Sequence, residues 1–272
     1  MRRFAWLLVV ALGTVPAGPA RAQDSTVQRA RVNDMEMAYR VRGTGEPLLL
    51  LHGFGGCSLQ WEPVIERLSA QYRLIIPDLR GHGGSTNPGK TFTHRQSAED
   101  VAALLDRLGL RRVRAMGIST GGMTLLHLAT KHPDRLEAMV LIGATSYFPE
   151  EARAIMRQAA REPRSPSPRE RSCAVRGEEQ FRELQREFSA FQNSYDDMNF
   201  TAPFLGTIKA RTLIVHGDRD GFFPVHIPVE MYRAIPGSAL WIVPNGGHVP
   251  IFGPRTEQFL EVALDFLRGT DR

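Results

Sequence analysis

The 272-residue chain has few lysines and very few cysteines. Lys90, Lys131 and Lys209 are its only lysines, beside many arginines, a balance that reflects a GC-rich bacterial genome rather than a function. It lacks a large excess of one charge. Lys and Arg number 34 against 29 Asp and Glu, a formal charge of +5. Arg2, Arg3 and Arg21 lie in the first 22 residues; without them 31 basic residues face 29 acidic ones. So small a surplus, scattered along the chain, argues against a nucleic-acid partner. There is no His/Cys/Asp run with metal-ligand spacing and no G-x-x-x-x-G-K phosphate loop, so neither metal nor cofactor is expected. No segment is long and apolar enough to span a membrane.

What is present begins with a leader. Met1-Arg2-Arg3 is a basic start, residues 4–12 are an apolar stretch, and Ala20-Arg21-Ala22 forms an A-x-A cleavage site before Gln23. The apolar stretch falls short of the roughly 20 residues of a membrane span. No cysteine follows the cleavage site to carry a lipid. We therefore expect residues 1–22 to be a signal peptide. The mature protein, residues 23–272, would be periplasmic or secreted, without stable membrane association.

Residues 23–272 suit one domain. Apolar runs at residues 35–41, 47–51, 73–78, 112–116, 138–142, 212–216 and 240–244 read as strands. Amphipathic stretches between them read as helices, one of which we expect Ser97 to cap. Strands alternating with helices imply an α/β fold with a mainly parallel, doubly wound sheet. Residues 146–204 break that alternation. Two helical stretches, 150–160 and 178–191, flank a proline-rich turn at 163–168, forming a small helical cap. Its inner stripe is Phe181, Leu184, Phe188, Phe191, Tyr195, Met198 and Phe200, mostly packing residues.

Gly117-Ile118-Ser119-Thr120-Gly121 is the most informative segment. A G-x-S-x-G between a strand and a helix holds its serine on a sharp turn with the hydroxyl exposed. Such a serine needs a base, and the base needs a carboxylate to fix its tautomer. Strand 212–216 runs into Gly217-Asp218-Arg219-Asp220, and strand 240–244 runs into Asn245-Gly246-Gly247-His248. Both would end at the carboxyl edge of the sheet, where ligands of open α/β sheets bind. Strand 47–51 enters His52-Gly53-Phe54-Gly55-Gly56, a loop whose N–H groups could face a developing oxyanion.

With Asp78-Leu79-Arg80-Gly81-His82-Gly83-Gly84-Ser85 added, these motifs resemble the α/β-hydrolase superfamily, in its capped esterase and haloperoxidase-like branch. The resemblance implies a Ser119–Asp220–His248 triad, with the N–H groups of Phe54 and Thr120 as oxyanion hole. The family's Gly-x-x-Asp turn points to Asp220, with Asp218 as understudy. The alternative acid position after strand 138–142 is empty, since Gly143-Ala144-Thr145-Ser146 holds no carboxylate. Serine at position 119 sets the chain apart from the aspartate-nucleophile dehalogenases and epoxide hydrolases.

The expected activity is hydrolysis of small to medium carboxylic esters through an acyl-enzyme, the partner being a small-molecule ester. Lactonase, aminopeptidase or amidase, C–C hydrolase and perhydrolase share the triad, and a non-catalytic binding protein on this fold is a further alternative. Phe54, Phe188, Phe191 and Phe222, with Phe223 beside it, are expected near the pocket. His52 and His82 read as structural, and His94, His127, His132 and His226 have no paired motif. Two cysteines in a chain of this size are more often unpaired, so Cys57 and Cys173 are expected free; a bridge between them would clip cap to core.

Overall fold

The computed structural model describes residues 26–162 and 164–269. The leader, residues 1–22, lies outside the described residues. Eight strands form one sheet: β1 Gln28–Val32, β2 Met35–Arg42, β3 Pro47–Leu51, β4 Arg73–Pro77, β5 Val113–Ile118, β6 Leu136–Ile142, β7 Arg211–Gly217 and β8 Ala239–Val243. Their order is β1-β2-β4-β3-β5-β6-β7-β8, parallel from β4 through β8 and antiparallel at β1 and β2. Strand β1 was not anticipated. Its core-facing residues are only Ala30 and Val32, too few to stand out as an apolar run.

The helices are α1 Glu62–Ser69, α2 His94–Arg107, α3 Thr120–Lys131, α4 Glu150–Arg161, α5 Pro168–Cys173, α6 Glu178–Ala190, α7 Ala202–Leu205, α8 His226–Ala234 and α9 Thr256–Arg268. The two faces of the sheet bury separate cores. Leu48 and Leu50 of β3 join Val64, Ile65 and Leu68 of α1 and Phe259 and Leu260 of α9. Leu49 and Leu51 join Leu104 and Leu105 of α2 and Leu125 and Leu126 of α3. The pleat sends successive leucines to opposite cores, so a central parallel strand is apolar throughout.

Helix α2 starts earlier than its sequence suggests. Thr93, not Ser97, is the cap: its hydroxyl accepts the Gln96 N–H at 3.0 Å, and Ser97 is buried within the helix. Helix α5 occupies part of the region read as a turn. Its start is a capping box, in which Ser167 Oγ accepts the Glu170 N–H and Glu170 Oε2 accepts the Ser167 N–H.

Segment 146–204 leaves the sheet after β6 and returns before β7. Its ends meet where the Phe200 N–H donates to Ser146 O at 3.0 Å, beside a Tyr147–Asn199 bridge. The cysteines depart from expectation: Cys57 and Cys173 form a disulfide, with Cα atoms 5.5 Å apart and both residues buried. The count alone suggested free thiols. Their separation of 116 residues hid the fact that α5 folds back onto the loop after β3. Tyr195 also departs. It is 65% exposed, and the Arg153 guanidinium lies 3.9 Å from its ring, because helical periodicity has ended before it.

Candidate active site

Strand β5 ends in a turn that its packing leaves little freedom to relax. Ser119 adopts φ 49°, ψ −114°, a region costing roughly 1–3 kcal/mol for a residue with a side chain. Surrounding bonds hold it there: its N–H donates to Ile142 O at 2.7 Å, and its carbonyl accepts the Met123 N–H at 2.9 Å. Helix α3 then crosses against the sheet without room for a side chain. A Cβ on Gly121 would lie 2.4 Å from Leu51 O. That close approach fixes the glycine and leaves the serine hydroxyl at the strand's carboxyl end.

The carboxyl ends of β7 and β8 supply the other two groups. A Cβ on Gly217 would lie 2.2 Å from both Gly246 O and Gly247 O, so only glycine there lets the loop after β8 sit against the end of β7. His248 emerges from that loop. Its Nε2 is 2.9 Å from Ser119 Oγ and its Nδ1 2.8 Å from Asp220 Oδ2. The other carboxylate oxygen, Asp220 Oδ1, accepts the N–H groups of Phe222 at 2.8 Å and Phe223 at 3.2 Å. Burial alone would raise this acid's pKa. The hydrogen bond and charge of His248, with the Phe222 amide, outweigh it and hold Asp220 below its ordinary value. Asp218 is exposed, and its N–H donates to Val243 O, so it takes no part in this chain of bonds.

Neighbouring histidines are structural. His52 Nε2 accepts the Leu79 N–H at 2.9 Å, which leaves Nδ1–H to donate to Gly53 O at 2.8 Å. Burial keeps His52 neutral by lowering its pKa. His82 Nδ1 bonds Arg80 O, and burial lowers its pKa to about 3. His216 donates to Phe223 O at 2.8 Å and, through that carbonyl, braces the turn carrying Asp220.

The loop after β3 is braced at Gly53 and Gly56, while the Phe54 N–H is left without an acceptor among the described residues. The Gly53 N–H donates to Gln60 Oε1 at 2.8 Å and the Gly56 N–H to Gly53 O at 3.1 Å. Among the described residues neither the Phe54 nor the Thr120 N–H has an acceptor. Both residues line the same cavity of about 240 Å³ as Ser119 and His248. Phe188, Phe191 and Phe222 line it too, so all four expected pocket aromatics meet there. The Phe54 ring lies 5.3 Å from that of Phe191 and 5.8 Å from that of Phe188, and the Phe222 ring 4.8 Å from that of His248. An outer cavity of about 430 Å³ shares Phe54, Phe188 and Phe222 as a wall and is edged by Gln158, Arg164 and Glu170.

Two groups escaped the sequence reading. Arg169 lines the inner cavity from α5, a helix that the sequence reading did not assign beyond the turn ending at Pro168. His94 and His127, which carry no paired motif, converge on Asp197. The Asp197 carboxylate accepts the N–H groups of His94 and Arg95 and lies 2.6 Å from His94 Nδ1; its carbonyl lies 2.6 Å from His127 Nε2. Burial would raise the Asp197 pKa, but the contacts with His94 hold it down to about 2. This cluster ties the return of the cap to the start of α2. Its only sequence signal was a pair of unassigned histidines, with the carboxylate 103 residues from one and 70 from the other.

A family profile described as alpha/beta hydrolase fold matches residues 46–189. The serine hydrolase BPHL of Homo sapiens is 29% identical over 93% of this chain and 90% of its own length. The pimeloyl-[acyl-carrier protein] methyl ester esterase of Vibrio vulnificus is 26% identical over 85% of this chain and 98% of its own. Among solved structures, a membrane phospholipase A described as a bacterial virulence factor superposes with a TM-score of 0.75. It is 26% identical, over 90% of this chain and 86% of its own.

Proposed function

The chain belongs to the alpha/beta hydrolase family, and from that membership we propose that it hydrolyses carboxylic esters of small to medium size through an acyl-enzyme at Ser119. The observation that carries this reading is the unbroken run of hydrogen bonds from Ser119 Oγ through His248 to Asp220, beside two N–H groups without acceptors. His248 Nε2 takes the hydroxyl proton as Oγ attacks the ester carbonyl. The carbonyl oxygen, now an anion, accepts from the Phe54 and Thr120 N–H groups. His248 returns the proton to the departing alkoxide, leaving an ester on Ser119. Water, deprotonated by the same nitrogen, then releases the acid and restores the hydroxyl. Asp220 holds the imidazole with Nδ1–H toward itself and balances the charge that His248 gains.

Two experiments test this. A fluorophosphonate should label Ser119 covalently; an unlabelled protein would indicate a binding module instead. A panel of p-nitrophenyl esters, beside lactones and amino-acid arylamides, then tests the substrate. The aromatic cavity favours acyl chains of about two to eight carbons. Specificity constants that climb steadily to palmitoyl esters would replace this reading with that of a lipase.

We infer export as well. The basic, apolar and A-x-A segments of residues 1–22 support it, and so does the buried Cys57–Cys173 disulfide, a bond of oxidising compartments. Sequencing the exported protein should find Gln23 at its amino terminus; a cytoplasmic chain still beginning at Met1 would overturn this.

A further inference from the structure

The inner cavity is apolar apart from the reacting groups, with one exception. Phenylalanines, Met123, Met156, Ile118 and Val249 make up most of its wall, and the side chain of Gln60 is engaged by the Gly53 N–H. No Asp, Glu or Lys lines it. Arg169 does, and among the described residues it is the only fixed charge on the wall.

Other arginines of the same segment are tied down. Arg164 pairs with Glu170, Arg171 donates to Pro166 O, and Arg176 donates to Gly81 O and Ser85 O. Arg169 has no hydrogen bond or ion pair among the described residues, and its side chain is exposed. Its sequence neighbour Glu170 is engaged by Arg164 and by the Ser167 N–H. Arg169 therefore lines the cavity without a carboxylate partner among the described residues.

The helix that carries it is anchored more firmly than its length would suggest. Cys173 stands four residues after Arg169, on the same helical face. Its disulfide to Cys57 turns that face toward the loop holding the Phe54 N–H. The capping box at Ser167 and Glu170 fixes the opposite end. One covalent bond thus sets the position of Arg169 relative to the oxyanion loop.

We propose that Arg169 is an anion subsite, and that the esters this protein prefers carry a carboxylate remote from the ester bond. This rests on the ester-hydrolase reading and names its substrate class. A guanidinium presents a planar fork of N–H donors that matches a carboxylate in two places at once. Beside an aromatic wall that bond is shielded from water on one side. A neutral ester offers Arg169 nothing that water does not.

The test uses two matched pairs of esters, because the anion could sit on either side of the ester bond. Monomethyl glutarate is compared with methyl pentanoate, and 4-acetoxybenzoate with 4-methylphenyl acetate. For each pair the ratio of specificity constants, anionic over neutral, is measured in the wild type and in Arg169→Met. The exposed, unbonded side chain makes this a variant that should fold, which circular dichroism verifies. For at least one pair the ratio should fall about tenfold or more, with the loss in KM, the worth of one charge-assisted contact. Arg169→Lys should restore part of it. Raising the ionic strength to about 0.5 M should erode the wild-type preference and leave Arg169→Met unaffected. Ratios within twofold of wild type for both pairs overturn the anion subsite while leaving the ester reading intact. A wild type that hydrolyses none of the four esters and resists fluorophosphonate overturns both.

Discussion

The carboxyl edge of the sheet and the cap above it are built by different means. At the edge, Ser119, Asp220 and His248 sit on turns fixed by backbone contact: Gly121 against Leu51 O, and Gly217 against Gly246 O and Gly247 O. These contacts tolerate no side chain, and they seat helix α3 and the loop after β8 against β3 and β7, strands buried on both faces. The cap has no such footing. It is tied to the core by the Cys57–Cys173 bond, by Asp197 at the start of α2, by Gln180 and Arg176 on carbonyls of the 81–85 turn, and by the Glu187–Asn87 contact. Each tie is one side chain reaching across. The edge is suited to fixed chemistry, while the cap rests on side-chain ties and on the packing of Phe148, Met156 and Phe191 against the core. In the reading proposed above, reaction belongs to the first and choice of substrate to the second.

Substitutions at the edge should therefore abolish turnover and spare the fold. Ser119→Ala removes one hydroxyl, and kcat should fall by roughly three to six decades with an unchanged circular dichroism spectrum. Retention of more than about a tenth of wild-type turnover would take the nucleophile's role from Ser119. Asp220→Asn should cost on the order of 10⁴ in kcat, since an amide at that place favours the wrong imidazole tautomer. Asp218→Asn, an exposed change outside the hydrogen-bond chain, should cost far less. A reversed ranking would assign the acid to Asp218 and break the geometric account of this edge.

The same contrast explains what could be read from sequence. Edge residues announce themselves because close backbone approach demands glycine: Gly117 and Gly121 around Ser119, Gly217 before Asp220 and Gly246 before His248. Apolar strands such as Leu48 to Leu51 were equally legible, because burial on both faces leaves no polar position. Strand β1 was not, since one of its faces is exposed and only two of its residues reach the core. In the cap, the helical stripe gave α4 and α6 and brought Phe188 and Phe191 to the cavity. Its ties could not be read, because each joins ordinary residues far apart in the chain. Cysteine count misled about Cys57 and Cys173, and the proline run at 163–168 obscured α5 and, with it, Arg169.

Weakening a cap tie should instead lower stability more than chemistry. Cys57→Ala with Cys173→Ala removes the bond closing the longest loop between cap and core. The expected loss is about 2–4 kcal/mol, or roughly 5–15 °C in Tm for a chain of this size. Turnover of a small neutral ester should change far less than it does in Ser119→Ala. Thermal melts with and without reductant measure it: reductant should lower Tm in the wild type and leave the double variant unmoved. Equal melting under all conditions would show that the polar ties alone hold the cap.

A smaller and pH-dependent effect should come from Glu187 on α6. Its Oε1 accepts from Asn87 Nδ2 at 2.8 Å, while its Oε2 and Asn87 Oδ1 are both buried without a partner. A buried carboxylate oxygen without a donor favours the protonated acid. Burial, reinforced by the charge of Glu183, raises the Glu187 pKa to about 7 from an ordinary 4.5. A folded-state pKa above the unfolded one means that the native state holds the proton more tightly. The stabilisation is therefore complete below about pH 4.5 and is lost as the pH rises through 7. Glu187→Gln keeps the acceptor for Asn87 Nδ2 and cannot ionise. Relative to wild type it should gain stability across that window, by about 1–2 kcal/mol at pH 8. Melting curves of the two proteins from pH 5 to 8 should diverge as the wild type falls. Parallel curves would show that Glu187 ionises freely and that this tie, unlike the contacts at the sheet edge, does not depend on a buried proton.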